Sequence, residues 1–254
     1  MRVSGVQVEI VGSGLPVSVF AHGLGGSSSE TRPLAARIPG TRVLLTFREH
    51  GSSDRIDGGW TYDHLADDLA HVADAVDATR AVGLSLGAGA LLRLLTRTPG
   101  RFERIAFVMP AALDATRDDL ATARLHRLGQ AIRDGNQPGV VELLMDDVPE
   151  QVRSRGGVRV LVDRRARDLL GRTPPYPRNS DAPLADLTQL RGVSAPALVV
   201  AQREDPLHPS AVAHLLADSL PHATVLELEP GGVFWTETRR AQDALADHLG
   251  PEQS

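Results

Sequence analysis

Ser85 lies at the centre of the pattern Gly83-Leu84-Ser85-Leu86-Gly87, which follows a short apolar run and precedes a stretch of small and apolar residues. A serine hydroxyl becomes a nucleophile when a base accepts its proton, and a sharp strand-to-helix turn flanked by glycine exposes such a hydroxyl. The pattern therefore predicts a serine nucleophile in a strained turn. A plain glycine-rich turn, with a phosphate bound at the helix N-terminus, is the alternative that the pattern leaves open.

A second glycine-rich segment, HGLGG at residues 22–26, comes directly after a predicted strand. A flexible turn at this place can direct backbone N–H groups at a developing oxyanion, and the N–H groups of Leu24 and Leu86 are the expected pair. His22 and Gly23 are expected to border the substrate. Taken alone, the segment is equally consistent with a tight turn.

A candidate base comes from a short loop that also holds a carboxylate. The segment from Asp205 to His208 has Asp at its first position and Pro206 at its second, which is typical of a β-turn. Such a turn holds its first and fourth Cα atoms within about 7 Å, so the Asp205 carboxylate can contact the His208 imidazole. His208 is the best candidate base among the nine histidines. The alternative is a polar residue on the loop rim.

The elements that must position these residues alternate between strands and helices. Seven short β-branched or apolar runs predict strands, at residues 6–11, 17–21, 43–47, 81–84, 105–109, 197–201 and 224–228. Several are apolar throughout, which indicates burial on both faces and hence a mostly parallel sheet covered by helices. Helical spacing predicts helices over 61–79, 86–95 and 236–249.

This alternation is interrupted between residues 111 and 183, where apolar residues have helical spacing and no convincing strand is found. We expect a helical cap insertion at 111–183 and a core made of 1–110 and 184–254. The segment 173–181 is a loop by composition. A cap at this place would cover the carboxyl ends of the strands, where open α/β sheets bind ligands.

Composition narrows the function classes. The 254 residues include no cysteine, which excludes disulfides, thiolate metal sites and a cysteine nucleophile. A net charge of -5 without a basic cluster argues against nucleic acid or a membrane surface as partner, so a small-molecule substrate is expected. Neither a metal nor a cofactor is expected. Residues 1–20 carry no signal-like apolar run, which favours the cytoplasm, and the oligomeric state stays open.

Together these motifs resemble the α/β-hydrolase family. The segment at 22–26 is similar to its oxyanion turn, residues 48–53 to its loop rich in Gly, His and Ser, and residues 83–87 to its nucleophile elbow. The resemblance implies a mostly parallel twisted sheet flanked by helices, with a helical cap inserted after the sixth core strand. It also implies Ser85 as nucleophile, Asp205 as acid and a histidine after the last strand.

The chain departs from the family at that histidine. The loop after the predicted strand at 224–228 has Val233 where the family pattern has its base, and valine cannot accept a proton. The nearest later histidine, His248, falls in the predicted C-terminal helix. Phe234 and Trp235 follow in the same loop and are expected to contact substrate, with Trp235 either covering the space of the missing imidazole or packing under the cap.

Three functions remain open on this evidence. The first is hydrolysis of a small apolar ester, thioester or lactone through Ser85, with His208 as a relocated base. The second is a lyase or cyclase acting on a carbonyl compound with a natural-product-like scaffold, and the third is a ligand-binding pseudoenzyme. Ser85→Ala separates them, because it should abolish hydrolysis, leave a lyase part of its rate and leave a binder its affinity.

Overall fold

The computed structural model describes residues 1–115, 120–170 and 182–251. The strands are β1 (Arg2–Val3), β2 (Val6–Val11), β3 (Val17–Ala21), β4 (Thr41–Thr46), β5 (Arg80–Leu84), β6 (Arg104–Val108), β7 (Ala197–Gln202) and β8 (Ala223–Leu228). Within the described residues they form one eight-stranded sheet in the order β1-β2-β4-β3-β5-β6-β7-β8. β2 is antiparallel to both neighbours, and every pair from β4 to β8 is parallel.

Burial explains why the central strands read as continuous apolar runs. All residues of β3 and β5 are buried, because helices cover the sheet on both faces. The helices are α1 (Ser28–Ala35), α2 (Tyr62–Ala75), α3 (Leu86–Arg97), α4 (Leu120–Arg133), α5 (Gln137–Asp146), α6 (Glu150–Arg153), α7 (Gly156–Leu170), α8 (Ser210–Ser219) and α9 (Thr238–Leu249). Apolar residues of α2, α3 and α8 pack on one face, and those of α1 and α9 pack on the other.

The sequence predicted this fold class correctly, and helices α4 to α7 do follow the sixth strand, as the resemblance implied. These four helices build their own apolar cluster, which includes Val140, Val152 and Val162. The loop predicted at 173–181 lies outside the described residues. The division into a core and a cap at residues 111 and 183 stays a prediction.

Three elements escaped the sequence analysis. β1 is only two residues long, which is too short to show alternation. α1 holds Pro33 in its interior, and α8 follows a proline with few charged residues. Among residues 1–115, 120–170 and 182–251, no helix combines the length and the apolar character that crossing a membrane requires.

Candidate active site

Ser85 lies in a strained turn between β5 and α3. Its backbone φ of 50° and ψ of -107° fall where residues with a side chain are rarely found. A Cβ at Gly83 would lie 2.4 Å from the Gly87 carbonyl oxygen, and one at Gly87 would lie 2.4 Å from the Ala21 carbonyl oxygen. The two glycines are therefore required by close backbone approach, and the turn presents Ser85 beyond the carboxyl end of β5.

The His208 imidazole links Ser85 to Asp205. His208 Nε2 lies 2.9 Å from Ser85 Oγ, and His208 Nδ1 lies 3.0 Å from Asp205 Oδ2. The carboxylate can only accept, so Nδ1 carries the proton, and Nε2 is left to accept the hydrogen bond from the Ser85 hydroxyl. The structure thus brings together the three residues that the sequence analysis selected, although they lie on the loops after two different strands.

Backbone hydrogen bonds within the short loop after β7 hold the Asp205 carboxylate. The N–H groups of Leu207 and His208 donate to Asp205 Oδ1 at 2.9 and 3.1 Å, so the turn closes on the side chain of Asp205. Burial raises the pKa of Asp205, but the hydrogen bond and charge of His208 and the two backbone donors outweigh it. The pKa of Asp205 is therefore lowered, and the group is ionised when it faces the imidazole.

Val233, the residue that the sequence analysis expected at the family's histidine position, is fully buried in the apolar cluster that also holds Val200 and Leu228. Its backbone N–H donates to Gln202 Oε1 at 3.3 Å, and Gln202 Nε2 donates to Asp205 Oδ2 at 3.2 Å. The loop after β8 therefore supports the carboxylate through Gln202. Sequence reasoning missed Gln202, because nothing in its neighbours indicates that its amide faces Asp205.

The turn after β3 differs in one respect from the expectation. His22 was expected to border the substrate, but it is fully buried, with Nδ1 2.6 Å from the Gly23 carbonyl oxygen and Nε2 3.0 Å from the Phe47 nitrogen. Burial lowers the pKa of His22 to about 4, so its ring is neutral at physiological pH. Both ring nitrogens are engaged, so the direct substrate contact predicted for His22 is wrong, and the ring shapes the turn from beneath.

The two expected oxyanion donors, Leu24 and Leu86, belong to the turn after β3 and to the first turn of α3. A Cβ at Gly23 would lie 3.5 Å from Ser85 Cβ, which brings the turn close to the nucleophile. Leu86 is the first residue of α3, where N–H groups have no partner within the helix. In the part of the chain that the structure describes, the N–H groups of Leu24 and Leu86 donate no hydrogen bond. Both donors are thus available to a ligand.

Ion pairs and hydrogen bonds hold the loop after β4. Arg48 forms an ion pair with the fully buried Asp68 of α2, and its backbone N–H donates to the same carboxylate at 2.9 Å. Asp54 accepts from Arg2 and donates its own N–H to the Gly5 carbonyl oxygen at 2.9 Å. These bonds tie the loop to the rest of the fold.

Phe234 and Trp235 lie on one turn of π-helix at Gly232–Thr236 and diverge. Phe234 packs against the apolar cluster on the face of the sheet that α1 and α9 cover. Trp235 packs against the cluster of helices α5 to α7. Of the two places expected for Trp235, the structure has it packed against the cap helices, and contact of either ring with substrate stays a prediction.

Asp147, at the end of α5, is a charged group near the site that sequence reasoning missed. Its Oδ1 lies 2.7 Å from Arg124 Nη2. Burial raises the pKa of Asp147 to about 6. The positive charge of Arg124 and the charge of His208 lower this pKa, and the negative charge of Asp205 raises it further. Two adjacent acidic residues end α5, and the sequence gives no sign of which one faces the loop after β7.

Several known proteins are similar to this chain in sequence or in fold. RutD of Pantoea ananatis (strain LMG 20103), which is named as a carbamate hydrolase, is 25% identical over 233 residues, covering 84% of this chain and 80% of that protein. The enol-lactonase from Burkholderia xenovorans LB400 superposes with a TM-score of 0.78 at 19% identity, over 98% of both chains. An esterase from Exiguobacterium antarcticum superposes with a TM-score of 0.73 at 16% identity, over 97% of this chain and 96% of that one.

A family model also matches most of the chain. The model of the alpha/beta hydrolase family matches residues 19–248, a stretch that contains the oxyanion turn, the elbow at Ser85 and the loop with Asp205 and His208. The chain therefore belongs to the alpha/beta hydrolase family.

Proposed function

We propose that the protein is a serine hydrolase that cleaves small esters, thioesters or lactones through Ser85, with His208 as base and Asp205 as acid. One observation carries the proposal: His208 lies 2.9 Å from Ser85 Oγ and 3.0 Å from Asp205 Oδ2 at once. A protein that only binds a ligand has no need of an imidazole that joins a strained serine to a carboxylate.

Acylation begins when Ser85 Oγ attacks the substrate carbonyl and its proton passes to His208 Nε2. Asp205 accepts the hydrogen bond from Nδ1 and stabilises the imidazolium that forms. The carbonyl oxygen becomes an oxyanion that the N–H groups of Leu24 and Leu86 stabilise. His208 then gives its proton to the leaving alcohol or thiol as the bond to the carbonyl carbon breaks.

Deacylation repeats these steps with water. His208 accepts a proton from the water that attacks the acyl-Ser85 ester, and it returns that proton to Ser85 Oγ as the acid product leaves. The two steps need one base that reaches both Ser85 and the attacking water. His208 meets the first requirement in the resting protein, and its side chain keeps 14% of its surface exposed.

The substrate class follows from the chemistry and from the relatives. Attack by an activated serine suits any acyl group with a good leaving group, and the structurally similar proteins include ones named as an esterase and an enol-lactonase. RutD is named as a carbamate hydrolase, so a carbamate belongs in the substrate panel. The substrate contact predicted for Phe234 and Trp235 would favour an apolar acyl group.

The deciding experiment is active-site labelling with a fluorophosphonate, followed by the intact mass and by mapping of the modified residue. We expect rapid addition of one label at Ser85, none in Ser85→Ala, and slow labelling in His208→Ala. A folded wild-type protein that takes up no label would contradict the proposal and favour a lyase or a binding function. A label found on another residue would also overturn it.

A panel of p-nitrophenyl esters, thioesters, lactones and carbamates then names the substrate class. Turnover that disappears in Ser85→Ala supports hydrolysis. Release of product without a labelled serine, or with full activity in Ser85→Ala, contradicts it.

A further inference from the structure

Glu30 lies in the first turn of α1, directly beneath the oxyanion turn. Its Oε2 accepts the backbone N–H of Gly23 at 2.8 Å, and its side chain is only 16% exposed. Gly23 precedes Leu24, whose N–H is one of the two proposed oxyanion donors. The hydrogen bond to Glu30 thus fixes the peptide next to that donor.

Space for this carboxylate is reserved by a second glycine. A Cβ at Gly26 would lie 2.2 Å from Glu30 Oε2, so any larger residue there would expel the carboxylate. A Cβ at Gly23 would lie 3.2 Å from Glu30 Oε2 and 3.5 Å from Ser85 Cβ. The Glu30 carboxylate and Ser85 therefore both border the space beside the Gly23 Cα.

A negative charge so close to a developing oxyanion is unfavourable unless a positive charge offsets it. Arg165 supplies that charge from helix α7 of the cap, because its Nη1 lies 2.9 Å from Glu30 Oε1. One carboxylate thus uses Oε2 to hold the oxyanion turn and Oε1 to hold the cap. Glu30 and Arg165 together add no net charge to the site.

Apolar contact accompanies the ion pair. Leu169 lies one helical turn after Arg165 on α7, and its Cδ2 would lie 2.6 Å from a Cβ at Gly25. The same face of the cap helix therefore delivers a guanidinium to Glu30 and an isobutyl group to the oxyanion turn. Moving α7 away would break both contacts at once.

We infer that Glu30 is a positioning residue for the oxyanion turn and that Arg165 neutralises it, so that docking of the cap sets the electrostatic environment of the oxyanion. The inference rests on the proposed function, since it assumes that Leu24 donates to an oxyanion. The charges of the ion pair then act on the oxyanion in the transition state, whereas a purely structural ion pair would only hold the cap in place.

Four variants separate charge from attachment, assayed with p-nitrophenyl butyrate for kcat and KM. Arg165→Met removes the positive charge and leaves Glu30 uncompensated. Glu30→Gln keeps an oxygen for the Gly23 N–H and removes the negative charge. The double variant is neutral again, and Glu30→Ala removes the acceptor itself.

In Arg165→Met we expect kcat to fall about tenfold with KM changed less than twofold, because an unscreened charge several Å away opposes the oxyanion. The double variant should recover most of that loss, although the ion pair is absent from it. Glu30→Ala should lose more than Glu30→Gln, because only the latter keeps an acceptor for Gly23. The matched control is Arg159→Met on the same helix, whose partner is Asp163 at 3.0 Å, and its kcat should not change.

The outcomes distinguish the inference from its premise. A wild-type protein that neither turns over the ester nor reacts with a fluorophosphonate overturns the proposed function, and the inference falls with it. An active wild type with a double variant no better than Arg165→Met overturns the inference alone, since the ion pair would then act only by attachment. Equal kcat values in all variants, with folding verified by thermal melting, would overturn it as well.

Discussion

The loops after β7 and β8 follow two neighbouring parallel strands, but they hold different kinds of residue. Within four residues, the β7 loop supplies the Asp205 carboxylate and the His208 imidazole, and the imidazole in turn contacts Ser85. In the β8 loop, Val233 is buried among apolar side chains and contributes only a backbone N–H, which reaches Asp205 indirectly through Gln202. One loop contains the proposed chemistry and the other supports it.

A histidine can act as base when its ring reaches the serine and when the ring nitrogen facing the serine carries no proton. Which strand the histidine follows matters less. Asp205 fixes the Nδ1 proton from three residues away, so the imidazole does not have to arrive from a second loop. Once the pair is local, the β8 position is free to become part of the core. Four changes test this division of labour between the loops.

His208→Ala should have the largest effect, a loss of about four to six powers of ten in kcat with little change in KM, because the transition state loses its proton acceptor. The measurement is steady-state kinetics on the best ester of the panel. His214→Ala on the exposed side of α8 is the matched control and should keep full activity. An unchanged kcat in His208→Ala would show that the base lies elsewhere.

Val233→His, made in the His208→Ala background, tests whether the two loops are interchangeable. We expect no recovery of kcat and a loss of about 1–3 kcal/mol in the free energy of unfolding, because a polar ring would be buried without a partner. Urea unfolding measures the loss. Recovery of turnover would mean that position 233 faces Ser85 and would break the comparison.

Gln202→Leu tests the indirect support from the β8 loop. The change removes a donor to an ionised carboxylate, which is worth about 1.5 kcal/mol, so kcat should fall about tenfold. Gln202→Glu keeps an acceptor for Val233 and sets a second carboxyl against Asp205, so it should lose at least as much. If both variants match the wild type, the β8 loop does not support the acid.

Asp147→Asn should have the smallest effect, visible mainly in the pH dependence. Asp147 has a pKa of about 6, so above that pH its charge faces the imidazolium of His208 in the transition state. The ratio of kcat in wild type to kcat in the variant should rise from about 1 near pH 5 to about 2 or 3 near pH 8. A ratio that does not vary with pH would remove Asp147 from the site.

As the pH rises, the stability of the wild type relative to Asp147→Asn should fall, whereas its relative kcat should rise. The folded-state pKa of Asp147 lies above its ordinary value of 3.8, so its ionisation opposes folding. That cost is fully present above about pH 6 and is lost as the pH falls below the folded-state pKa. Wild type should therefore gain stability relative to Asp147→Asn between about pH 7 and pH 4, which urea midpoints would measure.

The sequence predicted the parts of the site that depend on local geometry. Glycine on both sides of Ser85 is readable, because the turn needs close backbone approach. The contact between Asp205 and His208 can also be predicted from the sequence, because the turn that joins them spans only four residues. Sheet strands with continuous apolar runs were located within two residues at either end.

Contacts between distant segments were not readable. Gln202 and Asp147 are polar residues without a motif, and their role depends on how the β8 loop and the end of α5 pack around Asp205. His22 was misread because its ring nitrogens satisfy the Gly23 carbonyl and the Phe47 N–H, a pairing that joins the ends of two strands. Such roles follow from packing, which a single sequence does not encode in any short pattern.

Locality of the pair Asp205 and His208 has a consequence for engineering. The proposed acid and base lie on one short loop between β7 and α8, so they could be transplanted together into another sheet of this architecture as a single graft. Beyond α8, Glu227 and Glu229 pair with Arg203 of that loop, and Val233 supports Asp205 through Gln202. Because neither Asp205 nor His208 lies in β8 or α9, a chain break after α8 would leave the proposed nucleophile, acid and base on one piece of chain.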